Sequence, residues 1–128
     1  MKWLVILLAT AALAVTVQAA ECPDVTIPDL QAAINAKTVT LLDANGTASW
    51  KEGHIPGALD FAGSKAKLAE LLPQDKGALI VAYCGGPQCM AYKEAAAAAR
   101  KLGYTNVKHF SAGIHGWKEA KAPVEKGS

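Results

Sequence analysis

Two cysteines, Cys84 and Cys89, enclose a short Gly-Gly-Pro-Gln loop in the second half of the chain. The apolar run 78–83 comes directly before the first cysteine, and an alanine-rich stretch follows the second. This order predicts a buried strand, a tight loop and the start of a helix, with Cys84 at the end of the strand. Unpaired N–H groups and the positive end of a helix dipole favour a thiolate over a thiol. Cys84 is therefore the predicted nucleophile, and the alternative is a buried structural cysteine.

Cys89 has two interpretations that the sequence leaves open. It is either a small apolar residue in the first turn of the helix, or a resolving thiol that attacks an oxidised or persulfidated Cys84 and closes a disulfide. A disulfide requires Cα atoms that are about 4.4–6.8 Å apart. A separation of five residues across a tight loop does not decide whether this requirement is met.

The composition excludes several classes of protein. The 128 residues are enough for one domain, and 52% hydrophobic with 19% charged residues is typical of a globular protein. A net charge of +2 without a basic block argues against nucleic acid as a partner. His54, His109 and His115 are scattered singly and do not have the spacing of a zinc site, so neither a metal nor a cofactor is predicted.

The first residues have the layout of a secretory signal peptide. Lys2 gives a positive start, an apolar run to residue 17 follows, and small residues precede a cleavage point after Ala19. The run is shorter than the about 20 residues of a membrane span. We therefore expect residues 1–19 to be removed, and no stable membrane insertion of the mature domain, residues 20–128. The predicted location is periplasmic or secreted, where an odd number of cysteines leaves one unpaired; Cys22 is predicted to be this peripheral thiol or to pair with a partner.

Strand-like and helix-like segments alternate along the rest of the chain. Ser64 is the predicted N-cap of the second helix, and Gly103 is the predicted stop of the third. Such alternation is typical of an α/β domain with a mainly parallel sheet, whose ligands bind at the carboxyl ends of the strands. Cys84 lies at one such end. The pattern predicts strands at 25–27, 38–42, 59–61, 78–83 and 106–110, and helices at 29–36, 65–72, 89–102 and 114–120.

Three segments together resemble the rhodanese-like (sulfurtransferase) domain family. Residues 41–43 and 50–58, which are Leu-Leu-Asp and Trp-Lys-Glu-Gly-His-Ile-Pro-Gly-Ala, are similar to its upstream signature. Cys84 stands where the family has its catalytic cysteine, and residues 103–107 and 113–117 resemble its closing strand, loop and helix. The match follows the family's order over nearly the whole predicted mature chain. The chain is identified on these residues as a single-domain, exported member.

The resemblance implies a rhodanese-like fold, in which helices flank a mainly parallel central sheet, and a sulfur-transfer activity. Cys84 would hold a sulfane sulfur as a persulfide. Asp43 would organise loops near the site, and His54 would belong to a structural element rather than to the chemistry. The substrate-binding loop, whose backbone N–H groups would point at the sulfur, would consist of Gly85, Gly86, Pro87, Gln88, Cys89 and Met90.

The chain departs from the family's pattern at Cys89. Many active members have an arginine at this position, where it can pair with an anionic donor such as thiosulfate. Residues 85–89 carry no charge, Pro87 removes one N–H donor, and Lys93 is the nearest basic candidate. These differences place the use of thiosulfate in question. His109 and His115, near the closing loop, are interpreted as surface residues, with a place at the mouth of the site as the alternative.

The first interpretation of the whole chain is a sulfurtransferase that needs no cofactor. Cys84 would take sulfur from a small sulfur-containing donor and pass it to a thiol or to cyanide, and a protein thiol is one of the acceptors considered. Two alternatives stay open. One is a thiol redox protein that cycles Cys84 and Cys89 between dithiol and disulfide, and the other is a non-catalytic binding module with the same fold.

Overall fold

The computed structural model describes residues 22–127, in which parallel strands form a four-stranded sheet. The strands are β1 (Val39–Asp43), β2 (Leu59–Asp60), β3 (Leu79–Tyr83) and β4 (Val107–His109). Their spatial order is β2-β1-β3-β4, with Asp43 beside Tyr83 and Ala82 beside His109. β3 is therefore an interior strand, and the next residue, Cys84, leaves the sheet between two neighbouring strands. The predicted α/β architecture with a parallel sheet is confirmed.

Helices and one 3₁₀ turn connect these strands and cover both faces of the sheet. They are α1 (Ile27–Asn35), α2 (Thr47–Glu52), α3 (Phe61–Ser64), the 3₁₀ turn (Lys65–Lys67), α4 (Leu68–Leu71), α5 (Tyr92–Lys101) and α6 (Gly113–Glu119).

On one face of the sheet, the alanines of α5 let this helix lie close to the strands. Leu42 and Ile80 belong to this core, and Ala95, Ala96 and Ala99 of α5 are buried in it. Alanine combines the highest helix propensity with a very small side chain. The same residues therefore stabilise the helix and bring it near the end of β3.

The opposite face of the sheet forms a second core around α1 and α6. Because side chains alternate along a strand, Leu41 and Val81 project to this side. Leu30 of α1 and Trp117 of α6 are buried beside them. The indole Nε1 of Trp117 also donates to the carbonyl of Pro123 at 2.7 Å, which holds the chain after α6 against this core.

The N-terminal segment differs from the predicted strand at 25–27. In the described chain the contact to the sheet is an isolated parallel bridge between Asp24 and His109. Ile27 already begins α1, because the side chain of Thr26 accepts a hydrogen bond from the first turn and caps the helix. An N-cap in this place prevents the backbone from continuing as a strand.

The predicted N-cap at Ser64 is confirmed only in position. Ser64 directly precedes the 3₁₀ turn, but it is also the last residue of α3, and its side chain makes no capping hydrogen bond. The predicted helix 65–72 is a 3₁₀ turn followed by the short α4. A further helix, α2, forms where the sequence predicted no element.

The predicted signal peptide, residues 1–19, lies outside the described residues. Between residues 22 and 127, no helix has the length and apolar character needed to cross a membrane. The same part of the chain contains no cluster of three or more His, Cys, Asp or Glu side chains that could hold a metal ion.

His109 makes the fold sensitive to acid. Its side chain is buried and stacks on Tyr92, with the ring centroids 3.3 Å apart, and its Nε2 has no hydrogen-bond partner among the described residues. Burial lowers the pKa of His109 below its ordinary value of 6.5, against the opposing effect of the Asp24 carboxylate. Below pH 6.5 the unfolded chain therefore binds a proton that the folded chain does not, so the free energy of unfolding falls as the pH drops towards the folded pKa.

We expect His109→Phe, which keeps the stacked ring and removes the titration, to reduce this acid sensitivity. Between about pH 7 and pH 5 its free energy of unfolding should decline less than that of the wild-type protein, as measured by urea unfolding at each pH. His115→Gln removes an exposed histidine and serves as the matched control. The same pH slope for wild type and His109→Phe would contradict the prediction.

Candidate active site

Cys84 is the first residue after β3, and only 1% of its surface is exposed. The loop that follows it forms one wall of an open depression of about 530 Å³. Met90, the last residue of the predicted loop, does not line the depression but is 57% exposed on the same loop. The lining residues are Gly85, Gly86, Pro87, Gln88, Cys89 and His115.

A buried hydrogen-bond network fixes the end of β3 from which Cys84 emerges. The Tyr83 hydroxyl donates to Asp43 Oδ2 at 2.8 Å and accepts from the backbone N–H of Ile55 at 3.1 Å. The other carboxylate oxygen of Asp43 accepts from Asn45 N at 2.8 Å. Asp43 and Tyr83 are fully buried. The ends of β1 and β3 and the chain at Ile55 are thereby joined at one point, which is the structural basis for an organising role of Asp43.

The environment of this pair keeps the Tyr83 proton in place. Burial raises the pKa of Asp43, while the N–H of Asn45 and the hydroxyl of Tyr83 oppose this by donating to its ionised form. Burial, together with the Asp43 carboxylate, raises the pKa of Tyr83. The phenol therefore stays protonated and remains a hydrogen-bond donor to Asp43.

The start of α6 holds the cysteine loop from the opposite side. Ile114 N donates to the carbonyl of Cys84 at 2.9 Å, and His115 N donates to the carbonyl of Gly85 at 3.0 Å. Gly113 has a φ of +63°, and a Cβ atom at this residue would lie 2.6 Å from the carbonyl oxygens of Cys84 and Gly85. Only glycine combines this backbone conformation with so close an approach.

These contacts leave backbone N–H groups of the loop free. Because a trans peptide points its N–H away from its C=O, the carbonyls of Cys84 and Gly85 face α6 while the N–H groups of Gly85 and Gly86 face away from it. Between residues 22 and 127, the N–H groups of Gly85, Gly86, Gln88 and Met90 donate to no protein acceptor. The loop thus offers several unpaired donors to an anionic or polarised sulfur.

α5 begins at Tyr92 and not at Cys89 as predicted. Cys89 N closes a turn with the carbonyl of Gly86 at 3.1 Å, so Cys89 lies in the loop before the helix. Its interpretation as a residue of the first helical turn is therefore wrong. Lys93 N already donates to Met90 O at 3.1 Å, so the free donors near the cysteine come from the loop peptides more than from the helix start.

A disulfide joins Cys84 and Cys89. Their Cα atoms are 6.2 Å apart, inside the range of about 4.4–6.8 Å that disulfides occupy. The loop is therefore short and bent enough for the two sulfur atoms to bond, a point that the sequence left open. The third cysteine, Cys22, is a free thiol whose sulfur accepts a hydrogen bond from Arg100 Nη2 at 3.0 Å.

The depression contains one side chain that can carry a positive charge. His115 lines it, and its Nε2 lies 3.1 Å from Glu119 Oε1. Lys93 is exposed at the start of α5 and is not one of the lining residues. His109 is buried against Tyr92, so its interpretation as a surface residue is wrong. His115 has the alternative position that the sequence offered, at the mouth of the site.

His54 makes contacts that hold the C-terminal segment of the domain against the end of α2. Its Nδ1 donates to the carbonyl of Trp50 at 2.8 Å, and its ring stacks on that indole with centroids 4.2 Å apart. Its backbone exchanges two hydrogen bonds with Glu125, at 2.8 and 2.9 Å. Within the described residues these are fold contacts, and none of them reaches the cysteine loop.

Sequence reasoning missed three parts of the site. The first is the side chain of Asn45, whose Oδ1 would lie 3.8 Å from a Cβ at Gly85. The other two are the hydroxyl of Tyr83 and the backbone N–H of Ile114. A tyrosine at the end of a buried strand needs a partner for its hydroxyl, and this requirement was the available indication of a contact to Asp43.

The chain is similar to known proteins in both sequence and fold. Residues 26–120 match the family model of the rhodanese-like domain. An HTH-type transcriptional regulator of Mycobacterium tuberculosis is 37% identical over 94 residues, which make up 73% of this chain and only 40% of the regulator. A crystal structure of a Bacillus halodurans protein is 28% identical with a TM-score of 0.63, covering 83% of this chain and 77% of the other. Thiosulfate sulfurtransferase from Pseudomonas aeruginosa has the same fold at 24% identity, with a TM-score of 0.64 over 84% of this chain and 21% of the enzyme.

Tyr83→Phe should destabilise the end of β3 and make Cys84 more accessible. The substitution leaves a carboxylate oxygen of Asp43 and the N–H of Ile55 without a buried partner, which lowers the free energy of unfolding by about 1–3 kcal/mol. Tyr104→Phe is the matched control, because the Tyr104 hydroxyl donates to Pro73 and its ring packs in the core on the other face of the sheet. Urea unfolding measures the stability of both, and the rate of alkylation at Cys84 in the reduced protein, separated from Cys22 and Cys89 by peptide mass, measures access to Cys84. Faster alkylation only in Tyr83→Phe is expected, and equal rates in the two variants would refute it.

Gly113→Ala should lower the free energy of unfolding far more than Gly46→Ala does. Both positions have a positive φ, and such sparsely populated backbone conformations cost an alanine about 1–3 kcal/mol. A Cβ at Gly46 meets no atom within 4 Å, whereas one at Gly113 overlaps the backbone of the cysteine loop. Overpacking adds about 1–3 kcal/mol, so the urea midpoint of Gly113→Ala should fall well below that of Gly46→Ala. Equal midpoints would show that the close approach does not matter.

Proposed function

Because the chain belongs to the rhodanese-like domain family, we propose that it is a sulfurtransferase in which Cys84 carries a sulfane sulfur as a persulfide. The observation that carries this proposal is the combination of Cys84 at the end of the interior strand β3 with the unpaired N–H groups of the loop around it. The fold alone would not suffice, since one fold hosts many functions.

The proposed reaction starts from the reduced loop. The Cys84 thiolate attacks the outer sulfur of a donor, the bond between that sulfur and the rest of the donor breaks, and the remainder leaves as an anion with the electron pair. The persulfide then passes its outer sulfur to a thiol or to cyanide, and Cys84 returns to a thiolate. Free N–H groups of Gly85 and Gly86 stabilise the negative charge that this sulfur carries in both steps.

The loop's lack of charge favours donors other than a small dianion. With Cys89 in the position of the family's arginine, the depression offers an anion only backbone N–H groups and His115, which is itself paired with Glu119. The persulfide group of a small thiol carries at most one negative charge where thiosulfate carries two, so it needs less charge compensation. We propose such sulfane-sulfur compounds as the donors and a low-molecular-weight or protein thiol as the acceptor.

The predicted signal peptide, with the disulfide, suggests where the protein works. We propose a periplasmic or secreted location, where the environment is oxidising. There the Cys84–Cys89 disulfide is the resting form, and the sulfurtransferase must be reduced before it can accept sulfur.

A second function is favoured by the disulfide itself. A thiol redox protein would use Cys84 and Cys89 only as a dithiol/disulfide couple. Such a protein would exchange its disulfide with other dithiols but would not bind sulfane sulfur on Cys84. Sulfur binding by a variant that cannot form the disulfide therefore separates the two functions.

The experiment is intact-mass measurement of reduced Cys89→Ser after incubation with thiosulfate or with the persulfide of a small thiol. This variant keeps Cys84 as a free thiol, so we expect the gain of one sulfur atom with the small-thiol persulfide and a smaller fraction with thiosulfate. Cyanide should remove the added sulfur as thiocyanate. The Cys84→Ser/Cys89→Ser variant should gain none, and Cys22→Ser/Cys89→Ser, which changes a thiol outside the depression, should behave like Cys89→Ser. Absence of any sulfur gain in Cys89→Ser with either donor would refute the proposal.

A further inference from the structure

We infer that Cys89 discharges the Cys84 persulfide within the same chain, so that the sulfane sulfur leaves as hydrogen sulfide and the disulfide closes. This inference rests on the proposed function, since it requires a persulfide on Cys84. Cys89, which stands where many family members have an arginine, thereby takes part in the chemistry itself. It also changes the product of the protein from a transferred sulfur to free sulfide.

The geometry for this step is present in the described loop. The two sulfur atoms are bonded to each other with the Cα atoms 6.2 Å apart, so no rearrangement of the strand or of α5 is needed to bring them together. The turn between Cys89 N and the carbonyl of Gly86 folds the loop back towards Cys84. The other side of the loop is fixed to α6 through the carbonyls of Cys84 and Gly85.

The step balances in atoms and electrons. The Cys89 thiolate attacks Cys84 Sγ, a new bond forms between the two Sγ atoms, and the bond from Cys84 Sγ to the sulfane sulfur breaks. The sulfane sulfur takes the electron pair and its proton and leaves as HS⁻. That sulfur is reduced by two electrons, and the two cysteine sulfurs are oxidised by one electron each.

Burial favours Cys89 over an external acceptor. Cys84 is 1% exposed, whereas Cys89 is only half-buried, lines the depression and is within bonding distance of Cys84. An intramolecular thiol also has a large advantage in concentration, because effective molarities of well-oriented groups reach about 10⁵ M or more. A dissolved thiol at ordinary concentrations therefore attacks the Cys84 persulfide more slowly than Cys89 does.

The position of Cys89, which is half-buried at the wall of the depression, also determines how the protein is reset. A dithiol reductant reaches Cys89 Sγ first, forms a mixed disulfide with it and expels Cys84 as the thiolate, which the free N–H groups of the loop stabilise. The second thiol of the reductant then releases Cys89. Over one cycle a dithiol is oxidised to a disulfide and one sulfane sulfur is reduced to sulfide.

The test is a single turnover in which the donor's leaving thiolate is the only external thiol. Wild-type protein and Cys89→Ser are reduced, freed of reductant under anaerobic conditions, and mixed with one equivalent of a small-thiol persulfide, whose leaving group is a thiolate and not sulfide. Sulfide is followed with a selective electrode, and the protein by intact mass. The wild type should release about one sulfide per chain and end two hydrogens lighter than the reduced protein, while Cys89→Ser should keep its added sulfur at least about 100-fold longer.

Two further variants exclude indirect explanations. Cys22→Ser should match the wild type, since Cys22 is not part of the depression. Cys89→Ala should match Cys89→Ser, and circular dichroism of both should show that they are folded. Addition of a dithiol should make sulfide release by the wild type catalytic and should release the sulfur of Cys89→Ser only by direct attack on the persulfide.

The outcomes separate this inference from the proposed function. If Cys89→Ser binds sulfur and loses it as sulfide at the wild-type rate, or if the wild type keeps its persulfide as long as the variant, Cys89 is not the resolving thiol and the proposed function stands. If Cys89→Ser binds no sulfur from any donor, the persulfide itself is refuted, and this inference falls with it.

Discussion

The buried hydrogen bond from Tyr83 to Asp43 joins the carboxyl ends of two neighbouring strands at the point where the cysteine loop begins. Each partner would be costly to bury alone, because an ionised carboxylate and a phenol both need hydrogen-bond partners away from water. Together they are satisfied, and Ile55 N and Asn45 N complete the network. The position of Cys84, one residue after Tyr83, follows from this contact.

The loop after Cys84 is shaped from two directions. The strand end fixes where it starts, and the first residues of α6 take up the carbonyls of Cys84 and Gly85. Because those carbonyls accept hydrogen bonds from α6, the N–H groups of the same peptide planes point away from α6. Among residues 22–127 they donate to no protein acceptor. Gly113 is required for this arrangement, because any side chain there would overlap the loop backbone.

The residue at position 89 changes the chemistry of the loop in two linked ways. A cysteine in place of an arginine removes the positive charge that would attract an anionic donor, and it supplies a thiol within bonding distance of Cys84. In the proposed function, the first change weakens the binding of thiosulfate, and the second gives the Cys84 persulfide an intramolecular route to sulfide.

Local sequence determined the α/β class, the interior strand before Cys84, the alanine-rich helix and the position of Cys84 between strand and loop. These features depend on hydrophobic periodicity and on glycine and proline within a few residues, all of which can be seen along the chain. The start of α5, the burial of His109 and the bond between Cys84 and Cys89 were not determined in this way. The partners of Asp43 and of the loop carbonyls lie 40 residues away at Tyr83 or about 30 away at Ile114. Only the tertiary structure decided them, because the free energy of these contacts depends on which strands and helices pack together, and no local pattern encodes that choice.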